Sequence, residues 1–284
     1  MRCIASIVLA CLASAILAIA CGSDGTHSAA VPSAKSAVKR VVAAGDIASC
    51  ASGGDEATAK LVAGIEGTVV ALGDEAYENG SSKDFRNCYD PTWGRFKDRT
   101  RPVPGNHEYE TPGARGYFGY FGKAAGDPSE GYYSYDLGAW HVVALNSNLC
   151  LGVAGCHALS PQVRWLKADL AANADRDCTL AYMHHPRFSS GETHGSTPEV
   201  GPLWQVLYDA GADVVLSGHE HNYERFAPQN PGGEADPERG IREFVVGTGG
   251  KSHYEIESPL PGSEVHNDDT YGVLELTLHP EGYD

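Results

Sequence analysis

Basic residues are scarce in this chain: 21 Lys and Arg stand against 37 Asp and Glu, a formal net charge of −16. A groove that holds nucleic acid by bulk charge needs basic stripes, so that class is excluded. Metal ions can still supply positive charge, because residue counts do not register it. Charged residues of both signs reach only 20% of the 284, while 42% are hydrophobic. That balance excludes wholesale disorder and allows a sizeable core. There is no internal repeat, and no cysteine cluster has zinc-finger spacing. No G-x-S-x-G occurs, which removes the serine-hydrolase elbow. Neither "HEYET" nor "HEHNY" carries the second His of a zinc-protease helix. "GTGGKS" (247–252) falls short of a phosphate-binding P-loop, because Val245 stands where the first Gly is required.

What is present begins with an address. "MRCIASIVLACLASAILAIAC" has one Arg before an apolar run and reads as a bacterial-type secretory signal over residues 1–21. Cys21 after "LAIA" is the expected acylation point of a lipoprotein, with plain secretion or a periplasmic location as the alternative. Residues 22–37, rich in Ser, Ala and Gly, are the expected tether, and 38–284 the folded domain. Export to an oxidising compartment implies disulfides. Cys150 and Cys156 bracket "LGVAG", and Cys50 and Cys88 each follow an acidic motif, so these two pairs are expected to bond. Cys178 is expected to stay free and buried.

From residue 38 apolar strands alternate with helices. "AVKRVVAAGD", "TVVALGD", "TRPVPGNHEYE", "CTLAYMHH" and "ADVVLSGHEH" read as strands, "GDEATAKLVAGIEG" and "PEVGPLWQVLYDAG" as helices. "GYYSYDLGAWHVVALNS" is two antiparallel strands about a Leu-Gly turn. "SPQVRWLKADLAA" is a helix with Ser as its cap and apolar positions at 163, 166 and 170. "IREFVVGTGG" and "YGVLELTLH" complete the sheets, and "APQNPGGEADPERG" is a surface loop. The pattern predicts one α/β domain of two packed sheets with helices outside.

The strand ends carry the chemistry: "GDIAS" (Asp46), "GDEAY" (Asp74, Tyr77), "GNHE" (Asn106, His107), "MHHP" (His184, His185) and "GHEH" (His219, His221). Each alone is an ordinary turn or a solvated His. Five polar clusters at strand C-termini are what open α/β sheets use for their sites. Carboxylates, an amide, imidazoles and a phenol are hard or borderline donors suited to paired metal ions. In an extended "GHEH", His219 and His221 face one side and Glu220 the other. His184 and His185 are adjacent, so one of them is expected to face the metals.

In this order, over residues 41 to 279, the motifs resemble the calcineurin-like metallophosphoesterases, and within them the purple acid phosphatase branch. The resemblance implies a four-layer αββα sandwich of two mixed sheets flanked by helices. It implies two metals: iron(III) held by Asp46, Asp74, Tyr77 and His221, and divalent iron, zinc or manganese held by Asp74, Asn106, His184 and His219. Much of the broader superfamily places a metal-binding His where this chain has Ala48, which cannot ligate, and Tyr77 supplies the missing donor. His107 and His194 match imidazoles that meet the phosphate or its leaving group, with His185 as a further substrate contact. His27, His141, His157, His253, His266 and His279 are expected to take no catalytic part. The implied reaction is hydrolysis of phosphate monoesters of small molecules by a metal-bound hydroxide. A phosphodiesterase or nucleotide-cleaving enzyme on the same site, or a non-catalytic ligand-binding surface lipoprotein, are the alternatives. The membrane enters only through the lipid on Cys21.

Overall fold

The structure is a computed structural model that describes residues 4–5, 38–153 and 155–284. The expected tether, and all of the expected leader except residues 4–5, lie outside the described residues. Within the first part of the chain, β1 (Ile4–Ala5) and β2 (Lys39–Ala44) lead to helix α1 (Gly54–Ala63) and then β3 (Thr68–Ala71). Helix α2 (Ser82–Asp84), β4 (Thr100–Pro102), α3 (Asn106–Tyr109) and α4 (Arg115–Phe121) follow. The second part runs through β5 (Tyr133–Leu137), β6 (Trp140–Ala144), α5 (Asn148–Leu151), α6 (Pro161–Ala172), β7 (Cys178–Tyr182), α7 (Gly201–Ala210) and β8 (Val214–Ser217). It ends in β9 (Tyr223–Phe226), β10 (Arg242–Val246), β11 (Ser263–Asn267), β12 (Leu274–His279) and β13 (Gly282–Tyr283).

Two mixed sheets result. The first has the order β1-β13-β12-β2-β3-β4, with β2, β3 and β4 parallel; the second has β11-β9-β10-β8-β7-β6-β5, with β6, β7, β8 and β10 parallel. Strand periodicity decides what each face buries. On β6 to β8, Val142, Ala144, Leu180, Tyr182, Val214 and Leu216 face the first sheet and share its core. The alternating Val143, Ala181 and Val215 join Val163, Leu166 and Leu170 of α6 and Leu203, Trp204 and Leu207 of α7. Helix α1 packs on the far side of the first sheet through Ala59 and Val62. Its Asp55 and Glu56 lie in the first turn and Lys60 in the last, matching the helix dipole. The four layers are those the resemblance implies.

Two expectations change in detail, the Ser160 cap and the free Cys178, while the two expected disulfides hold. Ser160 precedes α6, but its side chain does not cap the helix; the hydroxyl donates to the His157 carbonyl at 2.9 Å. The Cys50–Cys88 and Cys150–Cys156 bonds form, with Cα atoms 4.9 and 4.4 Å apart. Cys178 is buried, as expected, yet it is disulfide-bonded, with its partner outside the described residues. Strands β9 and β11 and the short helical turns between residues 82 and 125 carry no clear period in the sequence. That helical region is ordered by an aromatic cluster of Phe85, Tyr89, Tyr120 and Phe121 instead.

Candidate metal centre

Both sheets present the C-terminal ends of their parallel strands to one place. Asp46 follows β2, Asp74 follows β3, Asn106 opens α3 after β4, His184 follows β7, and His219 follows β8. Asp46 (φ 58°), Asp74 (φ 50°) and His219 (φ 71°) adopt the left-handed backbone region. Asp and His tolerate it better than most residues, though it still costs about 1 kcal/mol each. The glycines before Asp74 and Asn106 are required by crowding. A Cβ on Gly73 would lie 2.6 Å from His184 Nδ1, and one on Gly105 would lie 2.0 Å from Asp74 Oδ1.

Seven side chains converge in two groups that share one oxygen. Tyr77 Oη lies 3.0 Å from Asp46 Oδ1, 3.1 Å from Asp74 Oδ2 and 3.2 Å from His221 Nε2. On the other side, His184 Nε2 lies 3.0 Å from Asn106 Oδ1, 3.2 Å from His219 Nδ1 and 3.4 Å from Asp74 Oδ2. The far nitrogens fix the rings. His184 Nδ1 donates to the Leu72 carbonyl at 2.8 Å, and His221 Nδ1 meets Ser252 Oγ at 2.6 Å. Each Nε2 is therefore aimed inward as a ligand atom. Carboxylates, an amide oxygen and imidazole lone pairs crowd together with too few protons to join them. Such a set fits cations. Among the described residues, Asp46, Asp74 and His184 form one group that could hold a metal, and His184, His185 and His219 another.

The electrostatics of the bare site agree. Burial raises the Asp74 carboxyl, but His184 outweighs it and holds Asp74 far below the usual carboxylate range. Burial opposes charge on His184, and Asp74 beside it wins, lifting the imidazole to about 9. Burial, with Asp46 and Asp74 adding, pushes the Tyr77 phenol well up. Its ionisation here therefore needs a neighbouring cation of high charge. Burial and the nearby His184, His185 and His194 push His219 far down, which leaves a neutral imidazole with a lone pair.

The remaining expected residues surround this centre. The His107 backbone N–H donates to Asp74 Oδ1 at 2.9 Å, and its ring packs on Tyr77 with centroids 4.6 Å apart. The His194 ring stacks on His219 at 4.2 Å and 22°. His185 is buried against His219 at 4.4 Å, with Nδ1 2.8 Å from Ser147 Oγ. Burial and His184 keep it neutral.

Sequence reading missed the carboxylates behind the donors. Buried Glu108 accepts from the N–H groups of Asp74 (2.9 Å), Glu75 (3.0 Å), Ala76 (3.3 Å) and Gly105 (2.8 Å), tying two site loops together. Burial, helped by Asp74 and opposed by those bonds, pushes its carboxyl up to about 7. Its position three residues into α3 from Gly105, the capping-box position, was the available signal. Glu220 accepts from the N–H groups of His194 and Gly195. The rejected "GTGGKS" segment also reaches the centre. Lys251 lies over the Tyr77 ring at 4.5 Å and pairs with Glu78, and Tyr254 just beyond stacks on His221 at 3.9 Å.

Comparison with known proteins gives a consistent picture. The calcineurin-like phosphoesterase family model matches residues 39–223. Purple acid phosphatase 15 of Arabidopsis thaliana is 31% identical over 218 residues, covering 64% of this chain and 40% of its own length. Acid phosphatase type 7 of Homo sapiens is 30% identical over 187 residues, covering 58% and 42%. The chain thus spans well under half the length of these curated relatives. The purple acid phosphatase from yellow lupin (Lupinus luteus) seeds superposes with a TM-score of 0.69 at 21% identity, over 86% of this chain and 50% of that one.

Proposed function

The chain belongs to the calcineurin-like phosphoesterase family, and from that premise we propose that it is an exported, two-metal phosphatase of the purple acid phosphatase type that hydrolyses phosphate monoesters. One observation carries the reading. Asp74 Oδ2 lies between Tyr77 and His184, so a single carboxylate oxygen serves both donor groups. Asp46, Asp74, Tyr77 and His221 would hold ferric iron, because three anionic donors favour a highly charged ion. Asp74, Asn106, His184 and His219 would hold divalent iron, zinc or manganese. When bound, the ions supply charge to the phosphoryl oxygens and lower the pKa of the water that becomes the nucleophile.

The chain's own residues do the rest. His107 and His194, with His185 as a further contact, meet the phosphoryl group. His194 gives an imidazole proton to the departing ester oxygen, so that an alcohol rather than an alkoxide leaves. Leu72, Ser147 and Ser252 keep the rings of His184, His185 and His221 in their orientations. Export with acylation at Cys21 belongs to the same proposal and is supported by the apolar leader and the disulfides. Loss of fatty-acid labelling in Cys21→Ser checks it.

Metal analysis of purified protein beside a panel of phosphate mono- and diesters tests the activity. The expected outcome is two metals per chain, with kcat/KM for monoesters about tenfold or more above that for diesters. Diester preference would make it a phosphodiesterase. Two metals with no turnover of any ester would make it a binding protein.

A further inference from the structure

The middle residue of "GHEH" points away from the metals, and its side chain has an unusual setting. Glu220 is fully buried, and one carboxylate oxygen, Oε1, accepts both the His194 and the Gly195 backbone N–H. The second oxygen, Oε2, is buried with no hydrogen-bond partner. It is packed so closely on Gly191 that a Cβ there would lie 2.3 Å away. An unsatisfied buried carboxylate oxygen is costly, so a role confined to holding the fold is poorly served by Glu at this position.

The same short segment registers His194 a second time. Its ring stacks on the ring of His219, whose own N–H donates to Asp46 Oδ2 at 2.8 Å. Backbone and ring of His194 are thus both referred to "GHEH", the segment that also supplies His219 and His221. The loop carrying His194 has no regular secondary structure from residue 184 to 197. Its other supports are the edge-on contact of the His194 ring with Tyr254 at 5.6 Å, the Glu192 N–H on the Glu255 carbonyl at 3.1 Å, Ser190 on Glu224, and the Ser189 N–H on Ser196 Oγ at 3.1 Å.

We infer that Glu220 is the positioning residue for His194, fixing the proton donor's height and angle over the divalent half of the site. This inference rests on the phosphatase reading, in which His194 protonates the leaving oxygen. Glu220 touches neither substrate nor metal. Its effect must therefore fall on the step His194 serves and must spare metal binding. A proton donor matters most when the leaving group is a poor one, such as an alkoxide, and least for an activated phenolate.

The test compares the metal-loaded full chain with His194→Ala, Glu220→Ala, Glu220→Asp and Glu220→Gln, on alkyl phosphates and on activated aryl phosphates. His194→Ala should lose about 100-fold or more in kcat on alkyl esters and much less on activated aryl esters. Glu220→Ala should reproduce that pattern at about tenfold or more, with two metals retained. Glu220→Asp, which keeps the charge but withdraws the acceptor by one methylene, should show the same selectivity and keeps the test open should the Ala variant fail to fold. Glu220→Gln keeps an acceptor oxygen and places an amide where Oε2 already lacks a partner, so it should restore most of the alkyl-ester rate. If His194→Ala has no leaving-group dependence, the assignment of the proton donor falls, and this inference falls with it. If His194→Ala shows the dependence and the Glu220 variants either match wild type or slow both ester classes equally, the positioning role alone is overturned. Loss of metal in Glu220→Asp would overturn it too.

Discussion

At the scale of single residues, the contested donor is Tyr77, whose hydroxyl reaches two carboxylates and an imidazole. Its phenolate on ferric iron should colour the iron-loaded protein, and Tyr77→Phe should remove the colour while the fold survives, because only the oxygen is lost. Visible absorption beside metal analysis checks this; a ferric protein still coloured after the substitution would leave Tyr77 as a packing residue. Asp74→Ala should lower activity more than about 100-fold and deplete both metals, whereas Asn106→Ala should empty mainly the divalent half. The seven donors were legible because strand ends in order, and the two-residue period of "GHEH", are written in the sequence. Glu108 showed only its capping-box position and Glu220 nothing, since what makes them matter is contact with backbone N–H groups far along the chain. The Asn and His residues beside them drew the reading instead.

At the scale of elements, the edge hairpin β5–β6 is fastened to α6 by a buried histidine. His141 lies 2.8 Å from Asp169 through Nε2 and 3.2 Å from Asp136 through Nδ1, and Ser134 donates to Asp169 at 2.7 Å. Both ring nitrogens face carboxylates, which only the doubly protonated imidazolium can satisfy. Burial pushes His141 down, but the two aspartates outweigh it and raise its pKa. The folded state therefore holds the proton more tightly than the unfolded chain. The stabilisation is complete below the ordinary value of 6.5 and is lost as pH rises through the folded value above it. His141→Asn should thus lower Tm more at pH 5 than at pH 9, by about 2 kcal/mol equivalent at the acid end. Equal losses at both pH values would reduce the histidine to packing. The hairpin was predictable from its alternation and Leu-Gly turn, but this cluster was not. His141 reads as one more apolar-strand polar residue until α6 is laid across it. The missed β9 and β11 share that character: polar sequences that become strands because β10 offers an edge to β9 and β9 in turn offers one to β11.

For the whole molecule, buried glutamates that accept backbone N–H groups stand in for secondary structure around the site. Glu243 on β10 accepts from the Arg187 and Phe188 N–H groups, each at 2.9 Å, and burial, opposed by those bonds, pushes its carboxyl up to about 8. Here the folded state keeps a proton that the unfolded chain releases near its ordinary 4.5. Stability from this group is therefore greatest in acid and declines between about 4.5 and about 8. Self-repulsion of a chain with net charge −16 declines toward acid as well. His185 and His219, held neutral by burial, pull the other way, because they must charge in acid. Glu243 is therefore read by substitution: Glu243→Gln, which keeps an acceptor but cannot ionise, should make Tm at pH 8 rise relative to Tm at pH 5, and an unchanged difference would assign the pH response to the other groups. The two-sheet architecture itself was visible in the order of strands and helices, while the burial that moves these carboxyls was not.

The division of the ligands between the two sheets is also a division in time. A chain made from its N-terminus offers Asp46, Asp74, Tyr77 and Asn106 first, a cup of oxygen atoms with the His107 ring packed on Tyr77 beside it. The nitrogen donors arrive only with residues 184 to 221, on strands of the other sheet. If these side chains hold the metals as proposed, loading is a late event in the life of each molecule. The ions around the nearly finished protein, rather than those it meets as it begins to be made, would then decide what it carries.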